Sequence, residues 1–162
     1  MIFRFTQYAR EKLKLPKLLT EPKSENLFNE WFVNVFHSRS RHKFYITTNA
    51  GSLFSCVIHG VGVTDEGRLF TDTFYSLREL FKDLDCEFIY ERFIAPQKGN
   101  IILSNTNNRS VLASMNQLII GAKVGLDYHD YSPYETSKFI NVTPMTAIDW
   151  QSPEIYIKKW KG

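Results

Sequence analysis

Residues 44–58 leave this chain little freedom in what it can fold into. Phe44-Tyr45-Ile46-Thr47-Thr48 is rich in β-branched and aromatic residues, Asn49-Ala50-Gly51 supplies turn formers, and Leu53-Phe54-Ser55-Cys56-Val57-Ile58 returns in kind. Two such runs joined by a short Asn/Gly turn specify a β-hairpin. The fold must therefore contain an antiparallel pair of strands.

Helical spacing surrounds the hairpin. Phe28, Trp31, Phe32, Val35 and Phe36 recur at i, i+3, i+4, i+7 and i+8, which predicts an amphipathic helix with one aromatic face, capped by Ser24 or Asn26. Thr73 is placed to cap a second helix with Phe74, Leu77, Leu80, Phe81 and Leu84 on its apolar side. A third has Val111, Leu112, Met115, Leu118, Ile119 and Ala122 on one face, and shorter helices fit Gln7–Leu13 and Glu135–Ile140. Ile2, Phe3 and Phe5 read as an opening strand, Ile101-Ile102-Leu103 as a short buried one and Ile155-Tyr156-Ile157 as a last one, while residues 86–95 fit a strand or a helical turn. Strands and helices alternate without a βαβ rhythm. The fold class expected is therefore α+β: one compact domain over 1–162, with a small, mainly antiparallel sheet packed against several amphipathic helices.

Composition bounds the function classes. A chain of 162 residues, 43% hydrophobic and 23% charged, is ordinary globular usage and buries about 70% of its unfolded surface without a metal or disulfide. Thirteen Phe and eight Tyr imply a core of large rings. The two cysteines, Cys56 and Cys86, lie in apolar surroundings outside any C-x-x-C pair and read as buried reduced thiols. No signal peptide and no spanning segment is legible, so the expected location is the cytoplasm. The net charge of +3 is small, but residues 1–43 hold nine Lys/Arg against four acids and residues 65–92 hold four against eight. That asymmetry fits either an anionic partner or surfaces that complement one another within the fold.

The polar segments narrow the search for a site. Asn105-Thr106-Asn107-Asn108-Arg109-Ser110 leads from a strand into a helix whose first N–H groups are free to meet an anion. Asn108 is the natural cap. Arg109 opposes the helix dipole, so it either reaches an anion or pairs with an acidic side chain. Arg41, Lys43, Tyr45 and Thr47 alternate onto one face of the hairpin, and with Thr48 and Asn49 they offer either a phosphate-tracking stripe or a solvated strand face. Asp127-Tyr128-His129-Asp130-Tyr131 lacks a second histidine at metal-ligand spacing and reads as a loop. The G-x-S-x-G, P-loop, G-x-G-x-x-G and H-E-x-x-H motifs are absent. No metal and no cofactor is expected.

Three stretches together resemble a known family. Trp31-Phe32-Val33-Asn34 is similar to its W-aromatic-x-N helix; Arg41-His42-Lys43 through Thr48-Asn49 and Leu53-Phe54-Ser55 resemble its basic hairpin and return strand. Asn108-Arg109-Ser110-Val111-Leu112-Ala113-Ser114-Met115-Asn116 resembles its N-R-S-V-L-G-S-M-N signature, with Ala113 in place of the glycine. The family is one of small bacterial proteins catalogued as a domain of unknown function, and the resemblance implies no activity. The expectation is thus a small cytoplasmic binding protein whose partner is a protein or nucleic acid rather than a membrane. Its candidate ligand residues are Arg41, Lys43, Thr48, Asn49, Asn107, Asn108, Arg109 and Ser110. The alternative is a small hydrolase or nuclease using Arg109 and Asn108 with a histidine.

Overall fold

The computed structural model describes residues 1–161 and has the α+β class expected. Five strands form one sheet: β1 (Ile2–Phe5), β2 (Glu30–His37), β3 (Lys43–Asn49), β4 (Ser55–His59) and β5 (Ile102–Asn105), in the order β4-β3-β2-β1-β5. β3 pairs antiparallel with β2 and β4, and β1 pairs parallel with β2 and β5. Helices α1 (Gln7–Lys12), α2 (Glu66–Asp83), α3 (Glu87–Ile89), α4 (Arg109–Tyr128), α5 (Pro133–Asn141) and α6 (Pro153–Tyr156) cover both faces.

The predicted aromatic helix over residues 28–36 is instead strand β2, the centre of the sheet. Trp31, Val33 and Val35 point to one face and Phe32 and Phe36 to the other, and all five are buried. Apart from Asn34 the run Trp31–Phe36 is apolar on consecutive residues, as a strand buried on both faces requires. Its helical spacing is a coincidence inside that run. Only Phe28 stays helical, in a 3-10 turn over Leu27–Asn29 whose cap is Asn26: its Oδ1 accepts from Phe28 N at 3.1 Å.

The first face of the sheet carries Phe3, Phe5, Trp31 and Tyr45, packed by Leu77, Leu80 and Phe81 of α2 and by Ile89, Ile157 and Trp160. The second carries Phe32, Ile46 and Val57, packed by Val111, Met115 and Leu118 of α4 and Ile140 of α5. The expected stripes on α2 and α4 thus face the core, with Leu84 and Leu112 only partly buried. α2 begins earlier than expected, however: Asp65 is its cap, accepting from Arg68 N at 2.8 Å, and Thr73 is buried in mid-helix. Residues 87–97 take the helical reading, with a π-helical turn at Tyr90–Ile94. Ile155-Tyr156-Ile157 is not a strand. Pro153, with its fixed φ, opens helix α6 there, and a 3-10 turn over Ile157–Lys159 follows. β5 is an edge strand with Ile102 exposed, not a buried one.

The β4 edge is closed by side chains. Asn141 of α5 accepts from Ser55 N at 2.8 Å and donates to Ser55 O at 2.7 Å, and Ser137, one turn earlier, accepts from Val57 N at 2.8 Å. Two helical positions four apart thereby substitute for a sixth strand, leaving less backbone free for edge-to-edge pairing.

Candidate functional site

The hairpin does not present the stripe that its alternation promised. Lys43, Tyr45 and Thr47 do share a face, but it is the first core face: Tyr45 and Thr47 are buried, and only Lys43 reaches outward, its Nζ 5.5 Å from the centre of the Tyr45 ring. Arg41 is exposed in the tight turn Ser38–His42, at a φ of 63°. Thr48 and Asn49 are fully buried and structurally committed. Thr48 Oγ1 lies 2.8 Å from Ser55 Oγ. Asn49 Nδ2 donates to Phe28 O at 2.8 Å, and its Oδ1 accepts from Gly51 N, Ser52 N and Ser52 Oγ. Asn49 therefore organises the turn and has no capacity left for a ligand.

That turn is nonetheless where the two suspected regions meet. A cleft of about 240 Å³ lies between Ala50-Gly51, the first turns of α4, and Ile148 and Tyr156. Gly51 is required there by close approach: a Cβ would sit 2.8 Å from Phe28 Cδ2 and 2.9 Å from Phe28 N. On the α4 wall stand Asn108, Ser110, Val111 and Ser114, which recur on one helical face. Asn108 caps the helix as expected, its Oδ1 accepting from Ser110 N at 3.1 Å and Val111 N at 3.3 Å. Ser114, only 6% exposed as a residue, also lines the cleft. On the opposite wall the Tyr156 ring carries the Lys159 ammonium 4.2 Å from its centre.

The other candidates fall outside the cleft. Arg109 is exposed beside it and makes no ion pair among the described residues, so the internal carboxylate partner is not there. Asn107 is exposed, and its Nδ2 donates to Glu21 O at 3.3 Å. Arg41 and Lys43 lie at the far end of β3. So do the histidines: His37 pairs with Lys43, His59 with Phe44, and the His42 ring is 6.1 Å from that of His59. His129 follows the last turn of α4, about 30 Å along a 20-residue helix from Asn108. The expected loop over Asp127–Tyr131 is only partly one, because Asp127 and Tyr128 belong to the last turn of α4 and only His129–Tyr131 lie beyond it; Asp127 accepts from Arg39 N and His129 stacks on Tyr131 at 5.2 Å. Among the described residues no group of three or more His, Cys, Asp or Glu could hold a metal.

Sequence reading missed the most heavily bonded polar group. Arg4 and Glu30 are fully buried side by side, with Arg4 Nε and Nη2 each 2.8 Å from a Glu30 carboxylate oxygen. Arg4 also donates to Glu21 O at 3.0 Å, Pro22 O at 2.7 Å and Ser104 Oγ at 3.0 Å, while Ser24 N donates to Glu30. This network ties the segment 18–24 across β1 and β5. An arginine inside Ile2-Phe3-Arg4-Phe5 was the available signal, because a charge inside an apolar strand demands a partner. Ser114 had a signal too, lying one turn beyond Ser110 on the helical face that starts at Asn108.

The two cysteines are buried, as expected. Burial pushes the Cys56 thiol up to about 12 and raises Cys86 as well, which leaves both as poor nucleophiles. At the surface, Asp83 is held below the usual carboxylate range by hydrogen bonds from Lys138 and Tyr134. No helix is long and apolar enough to cross a membrane among the described residues. No curated protein and no solved structure matches the chain. The family model described as Domain of unknown function (DUF6933) matches residues 2–156, nearly the whole length, and the chain belongs to that family.

Proposed function

We propose that this is a binding protein that receives a small anionic group, a carboxylate or phosphate, in the cleft between the hairpin turn and the start of α4. Ser114 carries the reading. Its hydroxyl, on the cleft wall of a residue only 6% exposed, can give a ligand oxygen a hydrogen bond worth about 0.5–1.5 kcal/mol. The positive end of α4 favours negative charge in this space, and the Lys159 ammonium sits over the ring of Tyr156, which lines it. Arg109, exposed beside the cleft, is free to add a planar pair of donors to a ligand larger than the cleft itself. The hydrolase reading needs a histidine near Asn108 or Arg109, and the four histidines lie towards the other end of the sheet and of α4.

A thermal-shift panel of small carboxylates and phosphates tests the proposal. A ligand at a hundredfold excess over its Kd stabilises by about 2.7 kcal/mol, which for a chain of this size raises the Tm by several degrees. Ser114→Ala should leave the unliganded melt unchanged and abolish the shift. A panel without a single shift, or a shift retained in Ser114→Ala, would overturn the reading.

A further inference from the structure

A second surface, away from the cleft, is assembled from two segments far apart in sequence. A groove of about 490 Å³ runs between Phe88, Arg92 and Phe93 on one side and Lys158, Trp160 and Lys161 on the other. The charges of the first segment are sorted by the fold. Glu87 and Glu91 both turn to Arg78 of α2, each 3.5 Å from its Nε, whereas Phe88 and Arg92 face the groove. Phe88 is 63% exposed and lines the groove. The groove therefore carries cations and an open aromatic face without the acids that stand next to them in the sequence.

Its floor is ordered. Phe93 stacks on Trp160 at 5.4 Å and 13°, and Trp160 stacks in turn on Phe28 at 5.6 Å. The Arg92 guanidinium lies over the Phe93 ring at 5.3 Å, so it is positioned before any partner arrives. Trp160 is 3% exposed and its Nε1 finds no acceptor among the described residues. Cations beside an accessible ring, that of Phe88, in a groove open to solvent, form the pattern that holds an unpaired base by stacking and its phosphates by charge.

We infer that this groove binds single-stranded nucleic acid. Lys158, Lys161 and Arg92 contact phosphates, and Phe88 takes a base. An acidic peptide would satisfy the charges but leave the Phe88 ring unused, and a duplex keeps its bases stacked inside. The inference is independent of the anion cleft, since no groove residue lines that cleft.

Fluorescence anisotropy with a short labelled oligothymidine, over roughly 50–200 mM salt, tests it. Binding should weaken with salt at a slope of about 0.7 per phosphate neutralised on a single strand. Lys158→Glu with Lys161→Glu should lower affinity at least about tenfold and flatten the slope by about 1.4. Phe88→Ala should lower affinity with the slope unchanged, because stacking does not release counterions. All three positions are exposed, so the fold is retained, as circular dichroism would verify. Arg41→Glu with Lys43→Glu is the control and should bind as the parent does. Four results would overturn the inference: no salt-dependent binding, a duplex bound as tightly, polyglutamate competing as well as the oligonucleotide, or the control losing as much affinity as the groove variant.

Discussion

Over β2, β3 and β4 the second face of the sheet is closed by helix: Val111, Met115 and Leu118 of α4 and Ile140 of α5 lie on Phe32, Ile46 and Val57. Over β1 and β5 the described residues place no such helix on that face, and the segment 18–24 crosses it instead, held by the Arg4–Glu30 pair, Ser104 and Asn105. One half is fastened by non-directional apolar burial, the other by directional hydrogen bonds to a charge. Apolar packing loses stability gradually as shape is altered, because neighbours relax. A buried ion pair fails abruptly, because removing either member leaves a charge that nothing solvates.

The sharpest way to break this comparison is Arg4→Ala. It strands the Glu30 carboxylate and should cost about 3–5 kcal/mol in denaturant unfolding, and Arg4→Lys should recover only part of that, since an ammonium cannot make the paired contact. A loss below about 1 kcal/mol would mean that the polar half is an ornament on an apolar fold. Next comes Asn141→Ala, a polar contact inside the apolar half. It leaves Ser55 N–H and C=O without their partner at the β4 edge, and about 1–3 kcal/mol should go; hydrogen exchange at Ser55 should quicken first. Met115→Leu, a volume-conserving change on α4, should stay under about 1.5 kcal/mol. If it rivals Arg4→Ala, the contrast between the halves is wrong. The smallest effect belongs to Arg109→Ala. Exposed and unpaired, Arg109 should change the melt by no more than about 0.5 kcal/mol, with a gain in stability if the unfavourable dipole interaction dominates. A large destabilisation would mean that Arg109 fastens the fold as Arg4 does.

The two arginines also show how legible the chain was. Arg109 drew notice because it stands at a recognisable helix start, and Asn108 caps that helix as its type demands. Arg4 sits inside an apolar strand, where no local motif marks it, and it holds distant segments together. Ser114 had the same helical spacing as its neighbours, but its place on a cleft wall is a property of the assembled fold. Thr48 and Asn49 looked like ligand residues because Thr and Asn at a turn are polar; their donors and acceptors are consumed by Ser55, Phe28 and Ser52.

What the sequence determined by itself was local. The hairpin over residues 43–59, the apolar stripes of α2 and α4 and the Asn108 cap all follow from contacts within a few residues, where side-chain spacing and free backbone groups decide. What the tertiary structure decided was which of two compatible patterns prevailed and which distant residues met. Trp31–Phe36 can be read with period 3.6 or as a strand apolar on both faces, and the second prevailed because β1 and β3 flank it and helices cover it on either side. Glu21, Pro22, Glu30 and Ser104 converge on Arg4, and Lys158 and Trp160 come to Arg92 and Phe93, through the order of the strands and the path of the chain between them. No short window of sequence holds that information, because the free energy that selects it comes from burying both faces of the sheet at once.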